Sequence, residues 1–138
     1  MVIKAAAVAD FRPVSAVPGK LRRGGHLTLE LEPTEDILAE IVARRTPGTV
    51  VIGFAAETED VLANGRAKLI RKGVDALVVN DVSGPHGAFD SDQNAGWFLT
   101  PDSTTELPRT SKRQMAGRIL DLASAMKLGA PFIVASSR

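Results

Sequence analysis

Three short apolar runs, each followed by sequence that suits a helix or a polar turn, constrain this chain more than any other feature. Val2–Val8, Val50–Phe54 and Ala76–Val79 are rich in Ala, Val and Ile and, Lys4 apart, lack the polar alternation of a half-exposed strand. Continuous apolar runs of that length suit strands covered on both faces. Between the first two, Thr34 precedes an acidic Glu35-Asp36 pair and the apolar positions Ile37, Leu38, Ile41 and Val42, and Arg44 and Arg45 follow. That order reads as a capped helix with charges matched to its dipole, stopped by Pro47 and Gly48. After Phe54 the pattern repeats, with Thr58 as the expected cap and Gly73 as the expected stop. Ala95–Thr100 reads as one more strand. Ser111 and Gln114 form a capping-box pair ahead of Met115, Ile119, Leu122 and Met126, which share one helical face. Strands alternating with crossovers long enough to be helices predict an α/β fold: three layers, a mainly parallel sheet, and helices on both faces.

Two segments depart from that rhythm. Arg12–Gly25 holds prolines, glycines and basic residues without apolar periodicity and is expected to be a loop. Leu27, Leu29 and Leu31 alternate with Thr28, Glu30 and Glu32, the period-two pattern of a half-exposed strand. In the tail, Pro131–Val134 can form a strand, but residues 128–138 receive no function.

The 138 residues fit one domain, and 44% hydrophobic with 24% charged residues is the balance of a soluble globular chain. A net charge of +1 supplies no field that would gather polyanions, so nucleic-acid binding is not expected. No run is long enough to cross a bilayer and no secretion signal is visible at Met1–Val8, so a cytoplasmic protein is expected. Without cysteine there is no disulfide and no thiolate chemistry. His26 and His86 are isolated from each other, which argues against a zinc site. Neither a GxxxxGK[ST] nor a GxGxxG loop occurs, so any nucleotide needs another cradle. Trp97 and Phe98 fall inside a strand and are expected to pack rather than stack on a base.

In open α/β sheets ligands bind beyond the carboxyl ends of the strands. Asp10, Glu57, Thr58, Asn80 and Asp81 all fall there, although such residues also make turns and caps. Asp10 is placed to hold a metal ion or a substrate hydroxyl, or to pair with Arg12. Lys68 and Lys72, four apart on one helix, share a face and can contact one anion, or simply be solvated. Lys20, with Arg22 and Arg23, can lie over a phosphate chain or contact nothing. Glu35 and Asp36 stand at a helix start, where phosphates bind and where acids also sit without any ligand.

Several stretches taken in order resemble one family. Ala5-Ala6-Ala7-Val8-Ala9-Asp10-Phe11-Arg12-Pro13, Lys20 after Pro18-Gly19, Asp36-Ile37-Leu38, Gly53-Phe54-Ala55-Ala56-Glu57-Thr58, Lys68 to Lys72, Asn80-Asp81-Val82-Ser83 and Phe89–Asn94 are similar in order and spacing to the phosphopantothenoylcysteine synthetase domain. The resemblance spans about Val2 to Met126, and residues 1–127 are taken as the C-terminal part of such a domain, with 128–138 as a tail.

The resemblance implies a Rossmann-like ligase fold of that family and a reaction in coenzyme A biosynthesis. In it CTP, with Mg²⁺, activates 4′-phosphopantothenate as an acyl-cytidylate, and cysteine then displaces CMP. It implies that Lys20 is a mobile catalytic lysine. It implies CTP contacts for Asp10, Lys20, Glu35, Asp36, Ile37, Leu38, Phe54, Lys68 and Lys72. It implies that Ala6, Ala7 and Asp10 line the acyl-substrate pocket, and it leaves the metal ligands unassigned. The family's preceding unit, with an Asn and a Ser-Ser-Gly-Lys-Met-Gly segment, has no counterpart here, so the chain is expected to carry CTP binding rather than complete turnover. A homodimer is expected, with the Leu27–Glu32 strand and the strand near Trp97 as candidate contacts. The competing expectation is a non-catalytic dimerisation module with a vestigial nucleotide pocket.

Overall fold

The computed structural model describes residues 1–16, 18–82 and 92–128. A five-stranded sheet forms its centre. Its strands are β1 (Val2–Lys4), β4 (Val51–Glu57), β5 (Ala76–Asp81), β6 (Gln93–Leu99) and β7 (Thr104–Ser111), side by side in that order. A separate ribbon pairs β2 (Phe11–Pro13) with β3 (Leu31–Pro33) in antiparallel register. Three helices complete the described fold: α1 (Ile37–Arg44), α2 (Val61–Lys72) and α3 (Lys112–Leu128).

The expected α/β class and three layers are what the structure has. Strand side chains alternate between faces, and the core divides accordingly. Val51, Ala55, Leu77, Val79 and Leu99 pack with Leu38 of α1 and Leu69 of α2 on one face. Ile52, Val78, Phe98 and Leu107 pack with Met115, Ile119 and Ala123 of α3 on the other. Trp97 and Phe98 pack on opposite faces, as expected of strand residues.

Parallel pairing joins β1 to β4 and β4 to β5, while β6 is antiparallel to both β5 and β7. Four strands therefore share one direction and β6 opposes them. The expected mainly parallel order thus breaks at β6, which pairs antiparallel with β5 and forms a hairpin with β7. Strand β7 has no counterpart in the sequence reading. Of its eight residues only Leu107 is buried, so it shows neither a continuous apolar run nor a clear alternation. Pro108 falls where the β6–β7 register slips between Asn94 and Gly96, at a bulge on an edge strand, where a missing N–H is tolerated.

Other expectations need correction. The first strand leaves the sheet after Lys4, and Ala5–Asp10 is exposed. Its residues are half-buried rather than enclosed, because β1 has β4 on one side only. The Leu27–Glu32 alternation becomes strand only at Leu31, with Leu27 and Leu29 exposed. Asp36, not Thr34, caps α1 by accepting from Ala39 N–H at 3.1 Å, because the Thr34 hydroxyl is already donated to the Ala9 carbonyl at 2.5 Å. Asp60, not Thr58, occupies the N-cap of α2, in a left-handed conformation (φ 42°) and without a side-chain cap.

Three local expectations hold. Gly73 ends α2 at φ 64°, its N–H donating to the Leu69 and Ile70 carbonyls. Ser111 and Gln114 form the reciprocal capping box, with Gln114 N–H to Ser111 Oγ at 3.2 Å and Ser111 N–H to Gln114 Oε1 at 3.4 Å. Pro47 and Gly48 lie in the turn that follows α1.

One unforeseen contact fixes α2 against the hairpin. The Arg66 guanidinium donates to the Thr100 carbonyl at 2.5 Å, to the Ser103 carbonyl at 2.8 Å and to the Thr104 hydroxyl. A planar fork of donors suits the converging carbonyls of a tight turn.

Candidate functional site

An open cleft of about 680 Å³ lies at the carboxyl ends of β1, β4 and β5. Parallel neighbours bring those ends together, and the segments that follow them build the walls. The Ala5–Asp10 stretch after β1 forms one side. Thr34 to Leu38, entering α1, forms the next, and Phe54–Ala56 of β4 forms the floor with Asn80 and Val82. Lys68 and Lys72 reach in from α2, and Asn94 and Lys112 close the far side.

Among the residues expected to act, Ala6, Ala7, Asp10, Glu35, Asp36, Ile37, Leu38, Phe54, Lys68 and Lys72 all line this one cleft. Lys20 does not; it is exposed on the excursion between β2 and β3, as are Arg22 and Arg23. Of the strand-end polar residues, Asn80 lines the cleft, whereas Glu57, Thr58 and Asp81 lie outside its lining. His26 is exposed away from it, and His86 and residues 89–91 of the Phe89–Asn94 stretch fall outside the described residues. The sequence reading missed Lys4, Thr34, Asn94 and Lys112 as lining residues. Only Lys112 had a usable signal: it starts the helix that the capping box announces.

Small side chains explain the Ala-rich wall. Ala5, Ala6, Ala7 and Ala9 leave the backbone near the cleft surface, and the stretch is anchored where the Thr34 N–H donates to the Asp10 carbonyl at 2.9 Å. Close packing supports the floor. A Cβ on Gly53 would stand 2.8 Å from Leu38 Cδ2, so Gly53 lets α1 approach β4 and brings Asp36 to the cleft.

The lysines of α2 are engaged by acids. Lys72 donates to Asp36, and Lys68 Nζ stands 3.7 Å from Glu57 Oε1. The hydrogen bond from Lys72 is the main reason that the Asp36 carboxyl lies below the ordinary carboxylate range. Burial pushes the other way, and the Ala39 N–H adds to the lowering. Both ammonium groups are thereby held at the cleft, each beside a partner that an anionic ligand can displace.

Asn80 is the most telling polar group. It follows Val78 by two positions and therefore shares the sheet face of α3 and of Phe54. Its Oδ1 is buried and accepts no hydrogen bond among the described residues. A buried acceptor left without a donor costs about 1–3 kcal/mol, which a ligand donor in the cleft would offset. Among the described residues no group of three or more His, Asp or Glu side chains is placed to hold a metal ion. No helix among them is long and apolar enough to cross a membrane.

Comparison with known proteins agrees with this architecture. The family model of the DNA/pantothenate metabolism flavoprotein C-terminal domain matches residues 1–126. The coenzyme A biosynthesis bifunctional protein CoaBC of Mycobacterium tuberculosis H37Rv is 46% identical over 133 residues, covering 88% of this chain and 32% of that protein. Its namesake from Escherichia coli K12 is 37% identical over 123 residues, covering 86% and 30%. The crystal structure of the C-terminal domain of a coenzyme A biosynthesis bifunctional protein CoaBC superposes with a TM-score of 0.66 at 30% identity, over 89% of this chain and 54% of that one. The chain spans about a third of the length of these curated relatives.

Proposed function

The chain belongs to the DNA/pantothenate metabolism flavoprotein C-terminal domain family, and from that premise we propose that it is the CTP-binding portion of a phosphopantothenate–cysteine ligase of coenzyme A biosynthesis. The observation that carries the reading is convergence. Residues as far apart in sequence as Ala6, Asp36, Phe54 and Lys72 line one cleft at the strand ends, with an unsatisfied Asn80 Oδ1 among them.

The chemistry follows from what a carboxylate lacks. The acid group of 4′-phosphopantothenate has no leaving group that an amine can displace. Transfer of CMP to it, with loss of pyrophosphate, gives an acyl-cytidylate, and the cysteine amine then forms the amide and releases CMP. Negative charge collects on the departing pyrophosphate. Cations held in place before the bond breaks stabilise that charge without reorganising during the step. Lys68 and Lys72 meet this need, because Glu57 and Asp36 hold them at the cleft until phosphates replace the carboxylates. Lys20, on its exposed excursion, is assigned the mobile role, closing over the phosphates. Phe54 offers an aromatic face to the base, and Ala6, Ala7 and Asp10 border the acyl substrate.

Mg²⁺ is the ion expected with such a nucleotide. It is typically held by substrate phosphates and one or two carboxylates rather than by an all-protein cage. Asp10 and Glu35 fit that pattern: both line the cleft, and neither forms an ion pair among the described residues. The ion would supply charge neutralisation for the phosphates.

Self-association is part of the proposal. Phe11, Leu27, Leu29 and Leu31 are exposed along the excursion that carries β2 and β3, Leu27 at 72%, and a second copy covering them would form the homodimer. The same apolar surface favours the second reading, a dimerisation module without catalysis.

Calorimetric titration with CTP and Mg²⁺ separates the two. The ligase reading expects binding of CTP in preference to ATP, weakened by Lys72→Ala and by Lys68→Ala. A stable dimer that gives no heat with either nucleotide at millimolar concentration would exclude it.

A further inference from the structure

The lysines of the cleft are not electrostatically equivalent. Lys68 and Lys72 each face a carboxylate. The acids that line the cleft, Asp10, Glu35 and Asp36, all lie beside the ribbon and at the entry to α1. Lys112 also lines the cleft, at the first residue of α3, on the opposite face of the sheet from α1 and α2. Among the described residues no acidic side chain pairs with its ammonium.

Its backbone is fixed from both sides. Lys112 N–H donates to the Asp92 carbonyl at 2.9 Å. In the next turn, Gln114 N–H donates to Ser111 Oγ at 3.2 Å, while the Ser111 and Thr110 hydroxyls donate to Gln114 Oε1 at 3.0 and 2.5 Å. The start of α3 is thus pinned to β7 and to Asp92, the residue before β6. The positive end of the α3 dipole adds charge of the same sign. On the same face Asn80 presents its unpartnered Oδ1. A cation with no counter-ion and an acceptor with no donor among the described residues, both lining one concave site, are completed by a ligand that brings an anion and a donor together.

We propose that Lys112 binds a phosphoryl group in the cleft, at a subsite on the α3 side separate from that of Lys68 and Lys72. The inference rests on the ligase reading, in which one cleft receives two phosphorylated compounds, a nucleoside triphosphate and a phosphate monoester. The phosphoryl oxyanion is common to both, and a lysine recognises it as a point charge.

The test is calorimetric titration of the native protein, Lys112→Gln, Lys112→Arg and Arg113→Gln with three ligands: CTP, inorganic pyrophosphate and 4′-phosphopantothenate. Melting temperatures are compared in parallel. Lys112→Gln is expected to melt with the native protein and to weaken at least one ligand by about five- to ten-fold, the scale of one partly solvated charge-assisted hydrogen bond. Lys112→Arg recovers most of that loss. Arg113→Gln, outside the cleft lining, stays within about two-fold of native. Loss on CTP and pyrophosphate assigns the subsite to the nucleotide, and loss on 4′-phosphopantothenate alone assigns it to the acid. Native binding that Lys112→Gln leaves within about two-fold for all three ligands, or that Arg113→Gln weakens equally, overturns the inference and spares the ligase reading. Absence of native binding to all three overturns both.

Discussion

Replacing Gly65 by alanine pits helix propensity against packing, and the structure decides the sign. Gly65 lies inside α2, where glycine costs about 0.8–1.0 kcal/mol relative to alanine. On propensity alone Gly65→Ala stabilises the protein. An alanine Cβ, however, would stand 2.7 Å from Val79 Cγ2 and 2.9 Å from Leu99 Cδ1, where carbons sit comfortably at about 3.5–4.0 Å. Val79 and Leu99 are fully buried and have no room to retreat, so α2 must lift from the sheet by roughly 1 Å. Overpacking of this kind costs about 1–3 kcal/mol. The two terms leave a net loss of up to about 2 kcal/mol, or as much as several degrees in Tm at roughly 3–5 °C per kcal/mol for a domain of this size. Gly117 supplies the internal control: it lies within α3, and nothing comes within 4 Å of a Cβ built there. Gly117→Ala is expected to gain about 1 kcal/mol from the same propensity term. Thermal and urea unfolding of both variants measure the difference. Lifting α2 also displaces Lys68, three residues further along, so Gly65→Ala should weaken CTP binding while Gly117→Ala does not. A Gly65→Ala protein that melts at or above the native temperature would refute the packing argument.

Two further outcomes follow from contacts already described. Arg66→Met strips the donors from the Thr100 and Ser103 carbonyls. Because Thr100 is buried, urea unfolding should show a loss of about 1.5–3 kcal/mol, only partly restored by Arg66→Lys, which lacks the fork. The lowered Asp36 carboxyl contributes stability that is complete above its unfolded value of about 4 and is lost as pH falls through the lower folded value. The stability gap between the native protein and Asp36→Asn should therefore be widest near neutral pH and narrow in acid. A gap that widens on acidification would show that Lys72 does not favour the ionised form.

Strands β4 and β5 were legible because burial on both faces leaves an unbroken apolar run, and a segment such as Val51-Ile52 has few other uses. The same signal misled at Ala5–Ala9. Alanine is apolar enough to extend a strand on paper, yet here it walls an open cleft, where its value is small size rather than burial. Threonine was misread for a different reason. Thr34 has a hydroxyl fit to cap a helix, but tertiary structure placed the Ala9 carbonyl closer, and Asp36 took the cap. Strand β7 was silent because an edge strand with one buried residue needs no pattern. The cleft lining came largely from ordered stretches that are similar to a known family. Asn80 and Lys68 were also reachable from position alone, at a strand end and on a helix face. Lys4 and Asn94 were not, since each becomes a cleft residue only through pairing with strands distant in sequence.

The walls of the cleft are drawn from Lys4 through Lys112, so every strand of the central sheet and every helix is either in the wall or bonded to a residue that is. Partial assembly of such a surface offers no partial affinity. A bound molecule therefore recognises the finished fold and withdraws population from every opened form at once, by RT ln(1 + [L]/Kd). Occupancy should then slow hydrogen exchange even at the opposite end of the sheet, where Asp75 bridges the Arg45 guanidinium and the Val51 N–H.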